Sequence, residues 1–597
     1  MEWYRELQFI AAVGMPSDLV DAYGTTINGM WAATEYLSDE YLDSVHAKGN
    51  RALFSIPLTA LTPKFYEAQE DRYLIDQACR DIDGNTSLVP WYYWESLPVY
   101  SICFYSSTFR NYLIERCRKG IERGFDVVNL DEIQTSIGLM DRDSGSSGFC
   151  SECLGRFKKH LREGADTDSS IANLEDDTLR RRLREDDTLY DQYRRFHYGE
   201  AYRVVKEFIQ ELRAIAQQIN PKFAITANMG YLGNLVSAKG ELWGLMWGEL
   251  IDFVMMENDY KPVDATHLLL PRGKFTAWYR LGGAFSSHAP VWICPSIHVP
   301  KQMAGEKRTT YYTLMFLEAY ANNGRWGYYW WPGVDVETRI EATAPEQLKH
   351  YTNLLKQNRE YFENLTTENA IAILYLNSSM LKRPEAHFKY LALAQALSEA
   401  GYQYDVIYAG DNLYTTDELD FSVLSRYKAI LLPEAQNLTA SQATVLDQYA
   451  RGYGFKLIQF LQHPSQPAVQ FGSVYEENML MNFWKEYQDV DRSRIEACIS
   501  PQTNRPIRTS HPLVNISRYK KGDNTILHFI NYDYDQSRDF VTPVEELKVQ
   551  LPWNGKQEPL LRWISLDGEK QLECRRVDGR LYFTVPRLDL YGLAVLS

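Results

Sequence analysis

Carboxylates close two apolar runs in the first half of this 597-residue chain. Asp131 and Glu132 end FDVVNLDE (125–132), and Glu257 ends IDFVMME (251–257), with Asp259 just beyond. Two acids delivered by different strands suit the cleavage of a glycosidic bond. One carboxyl protonates the leaving oxygen while the other attacks, or stabilises, the positive anomeric carbon. Trp31 and Glu35 follow another apolar run, Asn228 and Tyr231 follow FAITA, His298 follows VWICPSI, and Trp330 and Trp331 end RWGYYWW. Rings stack on the apolar C–H faces of sugars, and amide, imidazole and acidic groups take the hydroxyls, so these residues are the expected substrate-binding set. Side chains alternate along a strand, so only one of Asp131 and Glu132 faces a common site. A regular strand favours Asp131 as nucleophile or stabiliser, and a bulge favours Glu132 as the acid. Glu257 is the expected acid/base. The plainer reading of each acid is a strand-end salt bridge or a helix cap.

The elements that carry these residues follow from periodicity. Between residues 7 and 345, runs such as LQFIAAV (7–13), TTINGMW (25–31), ALFSIPL (52–58), FAITANM (223–229) and PVWICPSI (290–297) alternate with helical stretches such as 110–124 and 200–219. Nearly continuous apolar runs fit strands buried on both faces. Eight of them alternating with helices predict a (β/α)8 TIM barrel over 1–365, with active-site residues at the C-terminal ends of the strands. Insertions of roughly 59–107 and 133–195 follow the third and fourth strands. The second contains the charged stretch 172–196, expected as a solvated helical arm with i,i+4 pairs, or else an oligomer contact or lid.

Residues 366–504 read as an open, amidotransferase-like (flavodoxin-like) α/β domain. No cysteine lies between Cys294 and Cys498, which excludes the thiol chemistry of amidotransferases and leaves a structural or assembly role. Residues 505–597 alternate in short runs around NGK (554–556), DGE (567–569) and DGR (578–580), the turn signals of a small C-terminal antiparallel β-sandwich.

Composition narrows the partners. Lys+Arg 63 against Asp+Glu 78 gives a net charge of −15, which repels phosphate backbones, so nucleic acid is not an expected partner. No run approaches the ~18 apolar residues of a membrane span, and no basic-then-apolar leader opens the chain, so a cytoplasmic location is expected. Aromatics reach 13%, and 11 of the 14 tryptophans precede residue 345, enough to wall a cleft in the barrel. Eight cysteines agree with a reducing compartment. Cys150-Ser-Glu-Cys153, with Cys103 and Cys117 upstream, offers thiolates for zinc, but no histidine completes a standard spacing. Buried free thiols, no metal in the chemistry and no cofactor are the expectation, with Cys103, Cys150 and Cys153 as the zinc candidates.

The order of parts resembles the β-galactosidase-type glycoside hydrolases, family 42 and related groups, over nearly the whole chain. PVYSICFYSSTFRNYL (98–113) is similar to the segment before their fourth strand, and GFCSECLGRFKKHL (148–161) to the Cys-bearing segment after it. VPRLDLYGLAVL (585–596) is similar to the last strands of their β domain. The resemblance implies a glycoside hydrolase, a middle domain that mediates subunit assembly, and zinc at the Cys-bearing segment in some relatives. It departs at the catalytic positions. That family ends its fourth strand Asn-Glu, where this chain has Asp131-Glu132, and takes its nucleophile from a Glu after the seventh strand, where this chain has Cys294-Pro295-Ser296-Ile297-His298. A nucleophile on strand four with an acid on strand six looks instead like the α-galactosidase-type or α-fucosidase-type arrangement. The expectation is a retaining, carbohydrate-cleaving homo-oligomer (dimer or trimer). The alternatives are a carbohydrate-binding pseudoenzyme on the same scaffold and a metal-dependent hydrolase.

Overall fold

The computed structural model describes residues 3–12, 21, 24–30, 37–61, 76–231, 250–257, 276–285, 291–294, 309–328, 345–410, 418–459, 499 and 506–597, apart from gaps of up to five residues inside these ranges. The chain divides into two compact units, one of residues 27–257 with 413–415, the other of 1–26, 258–412 and 416–597.

The first unit carries a curled parallel half-barrel. Its strands are β2 (Ile27–Met30), β3 (Arg51–Pro57), β4 (Val127–Asp131), β5 (Ala224–Tyr231) and β6 (Phe253–Glu257), each the parallel neighbour of the next. The first pair approaches closely. Gly29 has φ +112°, and a Cβ there would lie 2.0 Å from the Leu53 carbonyl oxygen, so only glycine fits. Helix α1 (Asp39–Ala47) joins β2 to β3, and α2 (Ser107–Glu122) precedes β4. The Ser106 hydroxyl caps α2 by accepting from the Phe109 amide, and Phe109, Leu113, Cys117 and Ile121 recur every fourth residue as its buried stripe. On β3, Phe54 packs edge-on against Phe125 at 5.1 Å, and by alternation Ser55 faces the other way.

The second unit holds β1 (Phe9–Ala12), β7 (Val291–Cys294) and β8 (Arg325–Tyr328), with β8 pairing in parallel with both others. Five parallel strands in the first unit and three in the second match the strand count of a TIM-barrel core. Beyond them, Ile371–Leu376 pairs with Asp405–Ala409 on one side and Ala429–Leu432 on the other, and Lys456–Gln459 follows. The order 2-1-3-4 is that of a flavodoxin-like sheet. Residues 508–597 form antiparallel sheets of four and five strands around Leu527, Phe529, Val549, Leu551, Trp563 and Leu581. Asp567-Gly568 and Asp578-Gly579 turn hairpins there, with Gly568 and Gly579 at positive φ. Asn554-Gly555, read from sequence as a third hairpin turn, instead lies in the crossing from one sheet to the other, between Val544–Pro552 and Leu561–Ser565.

In this same unit the short strands Tyr534–Asp535 and Phe540–Val541 reach a helix of the barrel. The Asp539 carboxylate accepts from the Thr310 and Tyr311 amides at 3.0 and 3.1 Å and from the Tyr534 hydroxyl at 2.8 Å. It thereby caps the helix Thr309–Ala321 from a distant part of the sequence.

Two buried histidines tie this unit to acid sensitivity. His528 meets the Tyr591 hydroxyl at 2.7 Å and His387 meets that of Tyr375 at 3.1 Å, and burial lowers each pKa to about 3. As pH falls below the ordinary histidine value near ~6.5, the unfolded chain takes up protons that the native protein refuses. Stability from these sites is therefore complete above about pH 6.5 and declines from there toward pH 3. His528→Gln, which cannot titrate, is expected to show a smaller fall in Tm between pH 7 and pH 5 than the wild type; equal falls would refute this origin.

Candidate functional site

The half-barrel turns a polar face toward the C-terminal ends of its strands. Ser55 is in register with Asn129, and Asn129 with Thr226. Asn129 Nδ2 donates to Ser55 Oγ at 3.0 Å, and the Thr226 hydroxyl donates to the Phe253 carbonyl at 2.7 Å. One step further along the same face stand Asp131 and Asn228, with Asn228 Nδ2 donating to Asp131 Oδ1 at 2.9 Å. Both residues are buried.

Strand β4 is regular up to Asp131, so that residue continues the face of Asn129. At Glu132 the backbone enters the left-handed region (φ +52°), and Thr135 does the same (φ +60°). Such conformations cost non-glycine residues on the order of 1–3 kcal/mol each and persist only where their surroundings impose them. The surroundings here are specific. The Glu132 amide donates to Asp131 Oδ1 at 3.1 Å, the Thr135 amide to the Glu132 carbonyl at 2.9 Å, and the Thr59 hydroxyl to that same carbonyl at 3.1 Å. Two N–H groups thus converge on one oxygen of Asp131 and fix its carboxylate, while the chain turns sharply to a second buried acid. Glu257 is the last residue of β6 and is in register with Tyr231 across an irregularity in β5. The side chains of Glu257 and Tyr231 lie outside the described residues, as do Trp31, Glu35, His298, Trp330 and Trp331 altogether.

A second cluster lies in the insertions of the same unit. The sulfurs of Cys79, Cys103, Cys150 and Cys153, all buried, lie within 4.8 Å of one another. Cys103 and Cys153 are 3.8 Å apart, and Cys150 and Cys153 are 3.5 Å apart. Four thiolates around zinc at ~2.3 Å sit ~3.8 Å from each other, so this set fits a tetrahedral ion. The Gly148 amide donates to Cys79 Sγ at 3.2 Å, a bond that would favour a thiolate there. Hydrogen bonds from the neighbouring thiols, that of Cys103 first, draw the Cys79 pKa well down, while burial holds that of Cys153 well up. Sequence reasoning placed Cys103, Cys150 and Cys153 as candidates, with separate buried thiols as the default. The fold gathers them, and Cys79 completes the set where a histidine was sought. Cys117, buried in α2, is not a member. Cys79 was overlooked because no short spacing links it to the C-x-x-C pair.

Local structure explains the gathering. Cys150 is the N-cap of α3 (Ser151–Glu163), and Cys153 sits in its first turn, where the helix dipole favours a thiolate. Gly148 turns at φ +89° against Met140, and its carbonyl accepts from the Tyr193 hydroxyl at 2.6 Å. Tyr193 also stacks on Phe149 at 5.5 Å. Tyr193 belongs to the charged stretch 172–196, which forms α4 (Asp176–Glu185) and the start of α5 (Asp187–Ile219). Outer pairs such as Arg182–Asp186 and Arg195–Asp191 follow i,i+4 spacing, while Leu179, Leu183 and Tyr193 are buried. This arm is therefore solvated on one face and a support for the thiol cluster on the other.

The cluster also reaches the acid turn. Next to Cys103, the Phe104 amide donates to the Ser136 hydroxyl at 3.2 Å, one residue past Thr135. The Ile102 amide donates to the carbonyl of Thr59, whose hydroxyl holds Glu132.

No protein-family model and no curated protein matches the chain. Solved structures do match its fold. An α-L-fucosidase isoenzyme 2 from Paenibacillus thiaminolyticus is 10% identical, with a TM-score of 0.64 and 99% of each chain covered. A β-galactosidase from Bacillus circulans sp. alkalophilus is 12% identical, with a TM-score of 0.61 and 100% of each chain covered. The β-galactosidase from Rahnella sp. R3 is 13% identical, with a TM-score of 0.59 and coverage of 99% of this chain and 98% of that one. The fold resemblance read from the sequence to β-galactosidase-type proteins is thus found in three dimensions along the whole chain. No helix among the described residues is long and apolar enough to cross a membrane.

Proposed function

We propose that the chain is a glycoside hydrolase that cleaves a glycosidic bond with two carboxylates by a retaining route. The observation that carries this reading is the placement of Asp131: buried, at the C-terminal end of β4, fixed by Asn228 and by the amide of the strained residue after it. In this mechanism Asp131 attacks the anomeric carbon as Glu257 protonates the departing oxygen. Glu257, now a carboxylate, then activates the water that releases the sugar from Asp131. Glu132 is the alternate acid, within the same turn. The fucosidase and β-galactosidases that share the fold support glycoside cleavage as the class of reaction. Cys79, Cys103, Cys150 and Cys153 hold zinc in this reading. Four protein ligands complete a tetrahedral ion, so its role is to brace the insertions, and bond cleavage is left to the carboxylates.

The test is a panel of α- and β-linked aryl glycosides, galactosides and fucosides among them, with the configuration of the first product followed by NMR. Turnover of at least one glycoside with retained configuration is expected. Sugar binding by calorimetry without hydrolysis of any panel member would instead support a carbohydrate-binding pseudoenzyme.

A further inference from the structure

A cleft with a deeply set arginine lies far along the chain from the acid turn, in the unit that holds the α/β sheet and the β-sandwich. It is partly open to solvent, and Glu368, Gln403, Pro506, Ile507, Arg518 and Pro552 are among its lining residues. Arg518 stands on the sandwich strand Val514–Lys521, and its side chain is only 18% exposed. A guanidinium carries five N–H donors, and one so deeply set ordinarily spends them on carbonyls or carboxylates. Among the described residues this one makes no such hydrogen bond. Its single ion pair is to Glu368 at 4.0 Å, beyond hydrogen-bonding distance. Glu368 is 61% exposed and is shared with Lys520 at 3.8 Å, so two cations face one solvated carboxylate.

The cleft cannot simply close over the unspent donors, because its two walls are already tied. The Arg518 amide donates to Gln403 Oε1 at 3.0 Å, and Gln403 Nε2 donates to the Ile516 carbonyl at 2.7 Å. The Ile507 amide donates to the Gly401 carbonyl at 3.0 Å. Gly401 has φ +77°, and a Cβ there would strike the Ile507 carbonyl at 2.2 Å, so the approach is already at its limit.

We propose that this cleft binds a small oxyanion of the phosphate class, with two oxygens taken by the Arg518 guanidinium, the Lys520 ammonium supplying the second positive charge, and Glu368 displaced into solvent. Planar, bidentate acceptance is what distinguishes phosphate at arginine from a diffuse surface attraction. Inorganic phosphate and the phosphate group of a sugar ester share this chemistry.

The experiment uses the whole protein at constant ionic strength, with inorganic phosphate and a hexose 6-phosphate titrated separately by calorimetry and by thermal shift. Saturable binding with a rise in Tm of about 2–4 °C is expected for at least one of them. Arg518→Met is expected to weaken it about tenfold or more. Glu368→Gln, which leaves the arginine in place and removes the competing carboxylate, is expected to tighten it about two- to fivefold. Tighter binding of the ester assigns the occupant as a sugar phosphate, and equal affinities assign the free ion. Absence of saturable binding by both, an unchanged response in Arg518→Met, or an unchanged affinity in Glu368→Gln would each overturn the proposal. The last variant decides the matter alone if Arg518→Met fails to fold. None of these outcomes depends on glycoside turnover.

Discussion

Asp131→Asn is expected to lower kcat/KM on every glycoside the protein cleaves by on the order of 10²–10⁴-fold, with Tm and circular dichroism close to wild type. The substitution keeps the size of the side chain and an oxygen toward Asn228 Nδ2, so the packing at the end of β4 survives. What disappears is the anionic oxygen that, in the proposed mechanism, meets the anomeric carbon. A glutamine at position 257 is expected to behave differently. An acid is needed in proportion to how poor the leaving group is, so Glu257→Gln should cost far more on an alkyl glycoside or disaccharide than on a nitrophenyl glycoside, whose phenolate departs unaided. Measuring both variants on both substrate types separates the roles. If Glu132→Gln, and not Glu257→Gln, shows the leaving-group dependence, the acid is the residue in the left-handed turn. Wild-type rates in Asp131→Asn would reject the assignment of the nucleophile.

The second large effect concerns the thiol cluster. The purified protein is expected to contain about one zinc per chain by elemental analysis, and Cys79→Ser is expected to abolish it. Because a structural zinc contributes its binding energy to folding, chelation or Cys79→Ser should lower the Tm of the barrel unit by on the order of 10 °C. Cys117→Ser is the control: that cysteine is equally buried but belongs to the stripe of α2, so the metal content should not change. Hydrogen exchange adds a readout that a purely local effect would not move. Cys103 adjoins the Phe104 amide that binds Ser136, and the amides of 132–137 should exchange faster once the cluster is broken. A metal-free protein with unchanged Tm would remove zinc from the account and leave only four neighbouring thiols.

Much of the barrel was legible in the sequence because strands buried on both faces write themselves as unbroken apolar runs. FDVVNLDE contains β4 and IDFVMME contains β6, and the acids that end those runs stand where the strands stop. The alternation rule also singles out Asp131, since a strand regular to its last residue leaves Glu132 to the turn that follows. Other features have no short-range signature. The partnership of Asn129 with Ser55 and of Asp131 with Asn228 depends on register between strands far apart in sequence, which periodicity within one strand does not encode. The positive φ of Glu132 is imposed by Thr59 and the Asp131 carboxylate, against the residue's own preference. Cys79 joins Cys103, Cys150 and Cys153 through tertiary folding alone. Asn554-Gly555 carries a hairpin motif yet leads to another sheet, because the strand after it pairs with Tyr591–Leu596 and not with the strand before it.

The cap that Asp539 gives to Thr310 and Tyr311 bears on how this architecture can be cut or recombined. The helix that begins at Thr309 has its first amides answered by a carboxylate contributed 229 residues later. Trimming the tail, or grafting it from a relative, therefore edits the barrel helix as well. A shortened chain would expose that helix start to water and fraying, and a successful chimera would have to carry its own acid to the same spot.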